Sequence, residues 1–315
     1  MNFKPSATLE TSRQRARIIT GIRNFFHSHQ YLEVETPILS RYAVTDVQLD
    51  SFSSRFMSTS EDLYLSTSPE YHMKRLLAAG YGPIFQITKA FRNDELGTNH
   101  NPEFTILEWY KPNSDHHGLM DEIDLLLDSV MEKEDSIRMS YRDLFQTVLE
   151  IDPVNTTISK LQLICADYGY SNQSDDRDEL LDFLMTGPVE NWIRKNHKRL
   201  FIYNYPKSQA ALAKIDSLNP DYANRFELYL DGLEIANGFY ELSDPDEQRR
   251  RFQEDNRKRR DLGKAEMVID PNLIAALESG LPDCAGVALG LDRLVMMILG
   301  LKSITDIICF PMERA

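Results

Sequence analysis

The chain reads as α+β, an antiparallel β-sheet flanked by helices, and three observations lead there. Segments of period-two alternation come in neighbouring pairs joined by polar connections, with helical periodicity between the pairs rather than after every strand. Asp231-Gly232 separates two alternating runs, a strong two-residue hairpin signal. Finally, 315 residues that are 42% hydrophobic supply enough apolar surface for a substantial core, which excludes a disordered or collagen-like chain.

Taken in order, residues 1–12 read as a short tail. Ile18, Ile19, Ile22, Phe25 and Phe26 recur at helical spacing and predict a helix over 13–30. Residues 31–35 alternate and stop at Thr36-Pro37, where proline removes a ladder donor. Residues 41–60, rich in Ser and Thr, read as a mobile loop. Ser68-Pro69-Glu70 opens a helix that stops at Gly80. Residues 84–94 and 103–110 read as strands joined by a polar loop over 95–102. An amphipathic helix is predicted over 118–133 and a helical insertion over about 140–200. Strands return at 200–205 and 225–242, followed by helices over 244–262 and 271–279. A glycine-punctuated strand and helix fill 284–310. The expectation is a single domain spanning 1–315.

The charge sum is 35 − 49 = −14, so a polyanion is not an obvious partner. No stretch approaches the ~20 apolar residues of a membrane span, and the first fifteen residues lack the apolar core of a signal peptide. Cys165, Cys284 and Cys309 form no CxxC pattern and fit a reducing compartment. A cytoplasmic location with no membrane partner is expected.

The most informative segment is residues 226–242. With Asp231 and Gly232 at the turn, Leu230 faces Leu233 and Tyr229 faces Glu234, so Glu227 and Glu234 share a sheet face. Glu241, seven positions past Glu234, falls on the opposite face unless one residue bulges. A bulge at Asn237-Gly238 is expected, glycine being the usual site. On the 103–110 strand Phe104, Ile106, Glu108 and Tyr110 share a parity, and Arg92 and Asp94 share a face on the strand before it. Like charges ~4 Å apart repel by about 4 kcal/mol at an effective dielectric of 20. So many acids among Phe104, Ile106, Ile235 and Phe239 read as a site for cations, although alternating acids also mark an ordinary solvated face. Oxygen ligands without His or Cys suit Mg²⁺. Gly286-Val-Ala-Leu-Gly290-Leu-Asp-Arg293 is neither a Walker loop nor a GxGxxG fingerprint. Arg293 alone reads as an ordinary helix-surface arginine; paired with Arg92 it reads as a clamp for a triphosphate.

Together these segments resemble the signature motifs of class II aminoacyl-tRNA synthetases, most closely the lysyl subgroup. Residues 31–37 (YLEVETP) resemble motif 1, 91–110 (FRNDE…NHNPEFTILEWY) motif 2, and 286–293 (GVALGLDR) motif 3; 68–77 and 227–242 extend the match. The resemblance implies a class II synthetase-like catalytic domain with a six-to-seven-stranded antiparallel sheet, binding ATP with Mg²⁺. Arg92 and Arg293 are the implied catalytic residues. The implied ATP-binding set is Arg92, Asn93, Asp94, His100, Asn101, Phe104, Glu234, Ile235, Gly290 and Arg293, with Phe104 stacked on adenine. Glu227 and Glu234 match the metal ligands. Ser68, Pro69, Glu70, Glu108, Tyr110, Asn237, Glu241 and Ala288 match the amino-acid pocket, where the carboxylates receive a lysine's ammonium groups. Motif 1 implies a homodimer.

Two positions depart from the family pattern. Asp94 stands where motif 2 carries Glu, with Glu95 beside it, and Ala288 stands where motif 3 carries Gly. Motif 1 falls within the first 40 residues, leaving no room for the anticodon-binding barrel of lysyl-tRNA synthetases. The chain therefore resembles the stand-alone paralogues that attach lysine or (R)-β-lysine to elongation factor P; tRNA is not an expected partner. A truncated tRNA-charging enzyme, an asparagine synthetase of the same fold and a non-catalytic regulatory paralogue are the rival readings. The arginines of 249–260 read either as a solvated helix face or as a dock for an acidic protein.

Overall fold

The computed structural model describes residues 3–172 and 174–315. Helix α1 (Leu9–Ser28) starts four residues earlier than the sequence predicts, because the Thr8 hydroxyl accepts from the Thr11 amide at 3.0 Å and caps it. β1 (Leu32–Glu33) is two residues long. The strands β2 (Leu39–Ser40), β3 (Ser53–Phe56) and β4 (Glu61–Leu65) form a small sheet ordered β2-β4-β3. The 41–60 segment is therefore not simply a loop, and Arg259 ties it down by donating to the Asp46 carbonyl at 2.8 Å and to Asp50 at 3.0 Å.

α2 (Glu70–Ala78), β5 (Ile84–Phe91), β6 (Glu103–Pro112) and α3 (His116–Val130) follow. Next come β7 (Ile137–Ser140), α4 (Tyr141–Leu149), α5 (Ile158–Asp167), α6 (Arg177–Leu184), α7 (Glu190–Asn196) and β8 (Arg199–Pro206). The chain closes with β9 (Tyr222–Leu230), β10 (Leu233–Tyr240), α8 (Pro245–Asp261), α9 (Pro271–Gly280), β11 (Cys284–Gly290) and α10 (Leu291–Ile298).

The main sheet has eight strands in the order β1-β5-β6-β11-β10-β9-β8-β7. Its interior pairings are antiparallel, and a short parallel pairing closes each edge, β1 on β5 and β7 on β8. One face carries the largest core, where Phe26, Phe85 and Trp109 pack with Leu119, Ile123, Leu294 and Val295 from α3 and α10. The other face is covered only at its two ends. Helices α4–α7 pack a second core on β8 around Tyr141, Leu144, Leu181 and Ile202, and α2 and α9 pack a third around Met73, Leu77, Leu273 and Leu277. The strip between is open.

The β9–β10 turn has the predicted register, Leu230 opposite Leu233 and Tyr229 opposite Glu234. Positive φ at Asp231 (47°) and Gly232 (74°) makes this the tight turn that matches strand twist. The bulge lies at Ile235, between Glu234 and Ala236, not at Asn237-Gly238. Gly238 answers a different need: a Cβ there would sit 2.4 Å from the Phe226 ring. Parity is corrected all the same, and Glu241 returns to the face of Glu227 and Glu234.

Candidate active site

The open strip is a cavity of about 1700 Å³. Its floor follows from register. Gln86, Glu108, Ala288, Asn237 and Glu227 lie side by side across β5, β6, β11, β10 and β9. The neighbouring row is Ile84, Tyr110, Gly286, Phe239 and Arg225. Directly opposed residues share a face, so acids on separate strands converge. Glu108, Glu227, Glu234 and Glu241 all line the cavity, as do Ser68, Glu70, Arg92, His100, Asn101, Phe104, Tyr110, Ile235, Asn237, Ala288, Gly290 and Arg293.

At one end the Glu108 carboxylate, 1% exposed, accepts from the Ser68 hydroxyl at 2.7 Å and the Tyr110 hydroxyl at 2.8 Å. Desolvation by burial, then the nearby Glu70 charge, raises its pKa to about 8. Glu241 and Glu70 flank Lys74, whose Nζ is 2.7 Å from Glu241 Oε2 and 2.8 Å from Glu70 Oε1. This ammonium has no counterpart among the residues singled out from sequence. Among the described residues, Thr67 Oγ1 and Asn237 Oδ1 are buried without a hydrogen-bond partner. Such atoms in a pocket wall are costly unless a ligand satisfies them.

Phe104 lies four residues before Glu108 on β6, about 13 Å along the strand. The Arg92 guanidinium sits 5.2 Å from its ring centroid, and Arg92 Nη1 is 3.6 Å from Glu95. Arg92 Nε is buried with no partner among the described residues. Arg293 contacts the His100 ring and donates to the Glu234 carbonyl at 2.9 Å and the Asn99 carbonyl at 3.2 Å. Desolvation, then the Arg293 charge, lowers the His100 pKa. Asp292 accepts from the Thr105 amide at 2.7 Å and from Arg15 at 2.6 Å. That clamp sets β6 against α10, and hence Phe104 against Arg293; neither Asp292 nor Arg15 was singled out from sequence.

One sequence expectation is corrected. β5 ends at Phe91, so Arg92 and Asp94 lie in the following loop and share no strand face. Asn93 and Asp94 follow in that loop, both exposed, with Asp94 at φ 64° and Glu95 on the cavity wall. Asn101 lines the cavity while donating to the Glu103 carbonyl at 2.6 Å and accepting from the Met312 amide at 2.9 Å. Pro69 does not line the cavity; it precedes α2. The arginines at 249, 250, 251, 257, 259 and 260 each pair with an acid, Arg259 from a buried position against Asp50.

Glu227 and Glu234 fit a magnesium ion that also binds phosphate. Glu227 is held by the Tyr205 and Tyr229 hydroxyls at 2.6 and 2.8 Å and by Arg225. Glu234 turns into the cavity, its side chain 39% exposed, with Arg293 at 4.0 Å. Desolvation, then the Glu227 charge, raises its pKa to about 7, as expected where a cation belongs beside two carboxylates. No group of three or more His, Cys, Asp or Glu side chains able to hold a metal exists among the described residues. A closed protein cage is therefore not built here, whereas magnesium is commonly held by one or two carboxylates, phosphates and water.

The family model for class II tRNA synthetases (D, K and N) matches residues 2–314. Relatives from Salmonella paratyphi A (strain ATCC 9150 / SARB42), Salmonella schwarzengrund (strain CVM19633) and Salmonella choleraesuis (strain SC-B67) are each named elongation factor P–(R)-β-lysine ligase. Each is 50% identical to this protein over 99% of this chain and 98% of its own. With the match spanning almost every residue, the chain belongs to the class II tRNA synthetase family of the D, K and N type.

Proposed function

We propose that this protein activates lysine, as the (R)-β isomer, and transfers it to a lysine side chain of elongation factor P. One observation carries the reading: a single cavity has Glu70, Glu108 and Glu241 at one end and Arg92, Phe104 and Arg293 at the other. That polarity suits a small molecule with ammonium groups at its far end and a carboxylate turned toward a nucleotide. The relatives' shared name supplies the isomer and the acceptor. Ala288 lies in the floor between Glu108 and Asn237, where its methyl group shortens the space available to the substrate backbone.

The chemistry has two steps. The amino-acid carboxylate attacks the α-phosphorus of ATP in line, forming the acyl-adenylate as the bond to pyrophosphate breaks. Arg92 orients the attacking carboxylate and offsets charge on the α-phosphate; Arg293 and His100 hold the outer phosphates, and Phe104 stacks on adenine. Glu227 and Glu234 would hold Mg²⁺, which supplies further charge neutralisation on the phosphates. The acceptor ε-amine, as the free base, then attacks the acyl carbonyl. An amide forms, AMP leaves with the bonding pair, and the amine proton passes to solvent. No protein nucleophile is required.

The same reading includes a cytoplasmic enzyme and a homodimer through the motif 1 segment, where Leu32 and Leu39 are exposed; light scattering at micromolar concentration tests the dimer. No helix among the described residues is long and apolar enough to cross a membrane. The test of function is to incubate purified elongation factor P with the protein, ATP, Mg²⁺ and each lysine isomer. A mass gain of one lysyl group on a lysine side chain, with AMP released, is expected. An unmodified factor alongside charged lysine tRNA would overturn the reading.

A further inference from the structure

We propose that Lys74 is a built-in counter-ion that sets the net charge of the amino-acid end and so selects a ligand with two ammonium groups. The proposal deepens the functional reading above and rests on it. Lys74 is one helical turn after Glu70 on α2, and its side chain is 1% exposed. A buried ammonium is costly unless paired, and Met73 and Leu77 beside it show that the surrounding core accepts an apolar side chain. A purely structural pair needs one carboxylate. Lys74 is shared between two, Glu70 and Glu241, that both line the cavity.

The third acid, Glu108, is held by neutral hydroxyls from Ser68 and Tyr110 and receives no cation from the protein. With all three ionised, as when a dication displaces the bound proton, three carboxylates against one ammonium leave two negative charges for the ligand to match. A diamino acid brings two ammonium groups; a monoamino acid would leave one charge buried and unpaired.

The charged and titratable groups around this cluster come from every element packed on it: Glu70 from α2, Glu108 and Tyr110 from β6, Glu241 after β10, Cys284 from β11, and Lys214 from the loop before β9. Desolvation opposes the Lys74 charge, yet Glu241 and Glu70 together hold its pKa above the ordinary lysine value. Burial raises Glu241, and Lys74 is the largest influence lowering it. Removing Lys74 therefore drives Glu241 further toward its protonated form, and ligand binding must then displace that proton.

The test is ATP–pyrophosphate exchange with the wild type and with Lys74→Met, from about pH 6 to about pH 9. At neutral pH the variant is expected to raise KM for lysine by about tenfold or more, with the gap narrowing as pH rises. KM for ATP should stay within about twofold, because the nucleotide end is about 13 Å away. A folded variant with unchanged KM for lysine and an unchanged pH profile overturns the inference while leaving the functional reading intact. A wild type that exchanges with neither isomer defeats the functional reading, and the inference with it. Should Lys74→Met fail to fold, side-chain ¹⁵N NMR of the wild type decides the matter. A Lys74 ammonium signal that persists to about pH 10 and shifts with lysine but not with ATP is expected. A signal that titrates below about pH 9, or ignores lysine, overturns it.

Discussion

Gly286→Ala adds one methyl group at the centre of the amino-acid end, and the structure says what it would strike. A Cβ there would lie 2.3 and 2.4 Å from Cε1 and Cδ1 of Tyr110 and 2.5 Å from Glu241 Oε1. Ordinary carbon contacts are about 3.5–4.0 Å, so the tyrosine ring must retreat by about 1 Å. Tyr110 is 2% exposed and directly opposite Gly286, so there is little room for it to do so. Overpacking of this kind costs about 1–3 kcal/mol. Retreat also breaks the 2.8 Å hydrogen bond from Tyr110 to Glu108, and a bond to a charged group contributes about 1.5–3 kcal/mol. Since 1.4 kcal/mol is a factor of ten, KM for lysine in pyrophosphate exchange should rise by about tenfold or more. KM for ATP should change by less than about twofold, because Phe104 and Arg92 are about 13 Å away along β6. Urea unfolding measures the stability loss separately. An unchanged KM for lysine in a folded variant, or an equal rise in KM for ATP, would refute the placement of the ammonium end.

Three other outcomes are expected. Glu234→Gln should lower exchange by about 10²-fold at saturating ATP with little loss of stability, since its carboxylate faces the cavity and meets Arg293 at 4.0 Å; retained exchange would remove the metal assignment. Phe104→Ala should raise KM for ATP by a factor of about 5 to 150, the worth of base stacking at 1–3 kcal/mol, and leave KM for lysine alone. The Glu108 pKa, raised to about 8, sets a pH dependence. Below that value the free site holds a proton that a dication must displace, so KM for lysine should fall by about tenfold per unit as pH rises toward 8 and then level. For stability the sign is opposite: the folded chain keeps a proton that the unfolded chain sheds above its ordinary carboxyl range, so burying Glu108 costs more as pH rises to about 8. Glu108→Gln should flatten both curves.

Much of the fold was legible because register follows from local chemistry. Asp231-Gly232 fixes the hairpin, the hairpin fixes which glutamates face together, and the strand parity of 104–110 needs no tertiary information. The bulge was misplaced because glycine in a strand has two causes, irregularity and close approach; Gly238 serves the second against Phe226. Lys74 was missed because Glu70 and Lys74 at i, i+4 look like a surface pair. In the folded chain α9 packs on α2, and Glu241 arrives from just after β10 to meet Lys74. Asp94 and Asn101 match family motifs by type, and the fold sets their surroundings: a positive-φ turn at Asp94, and contacts of the Asn101 amide with the Glu103 carbonyl and the Met312 amide.

The central claim is most directly tested by pyrophosphate exchange against a panel of (R)-β-lysine, α-lysine, norleucine and aspartate. Exchange is expected with the two lysines, faster with the β isomer, and with neither of the others, because only the lysines carry two ammonium groups. Exchange driven by norleucine or aspartate, or by no amino acid in the panel, would contradict the account.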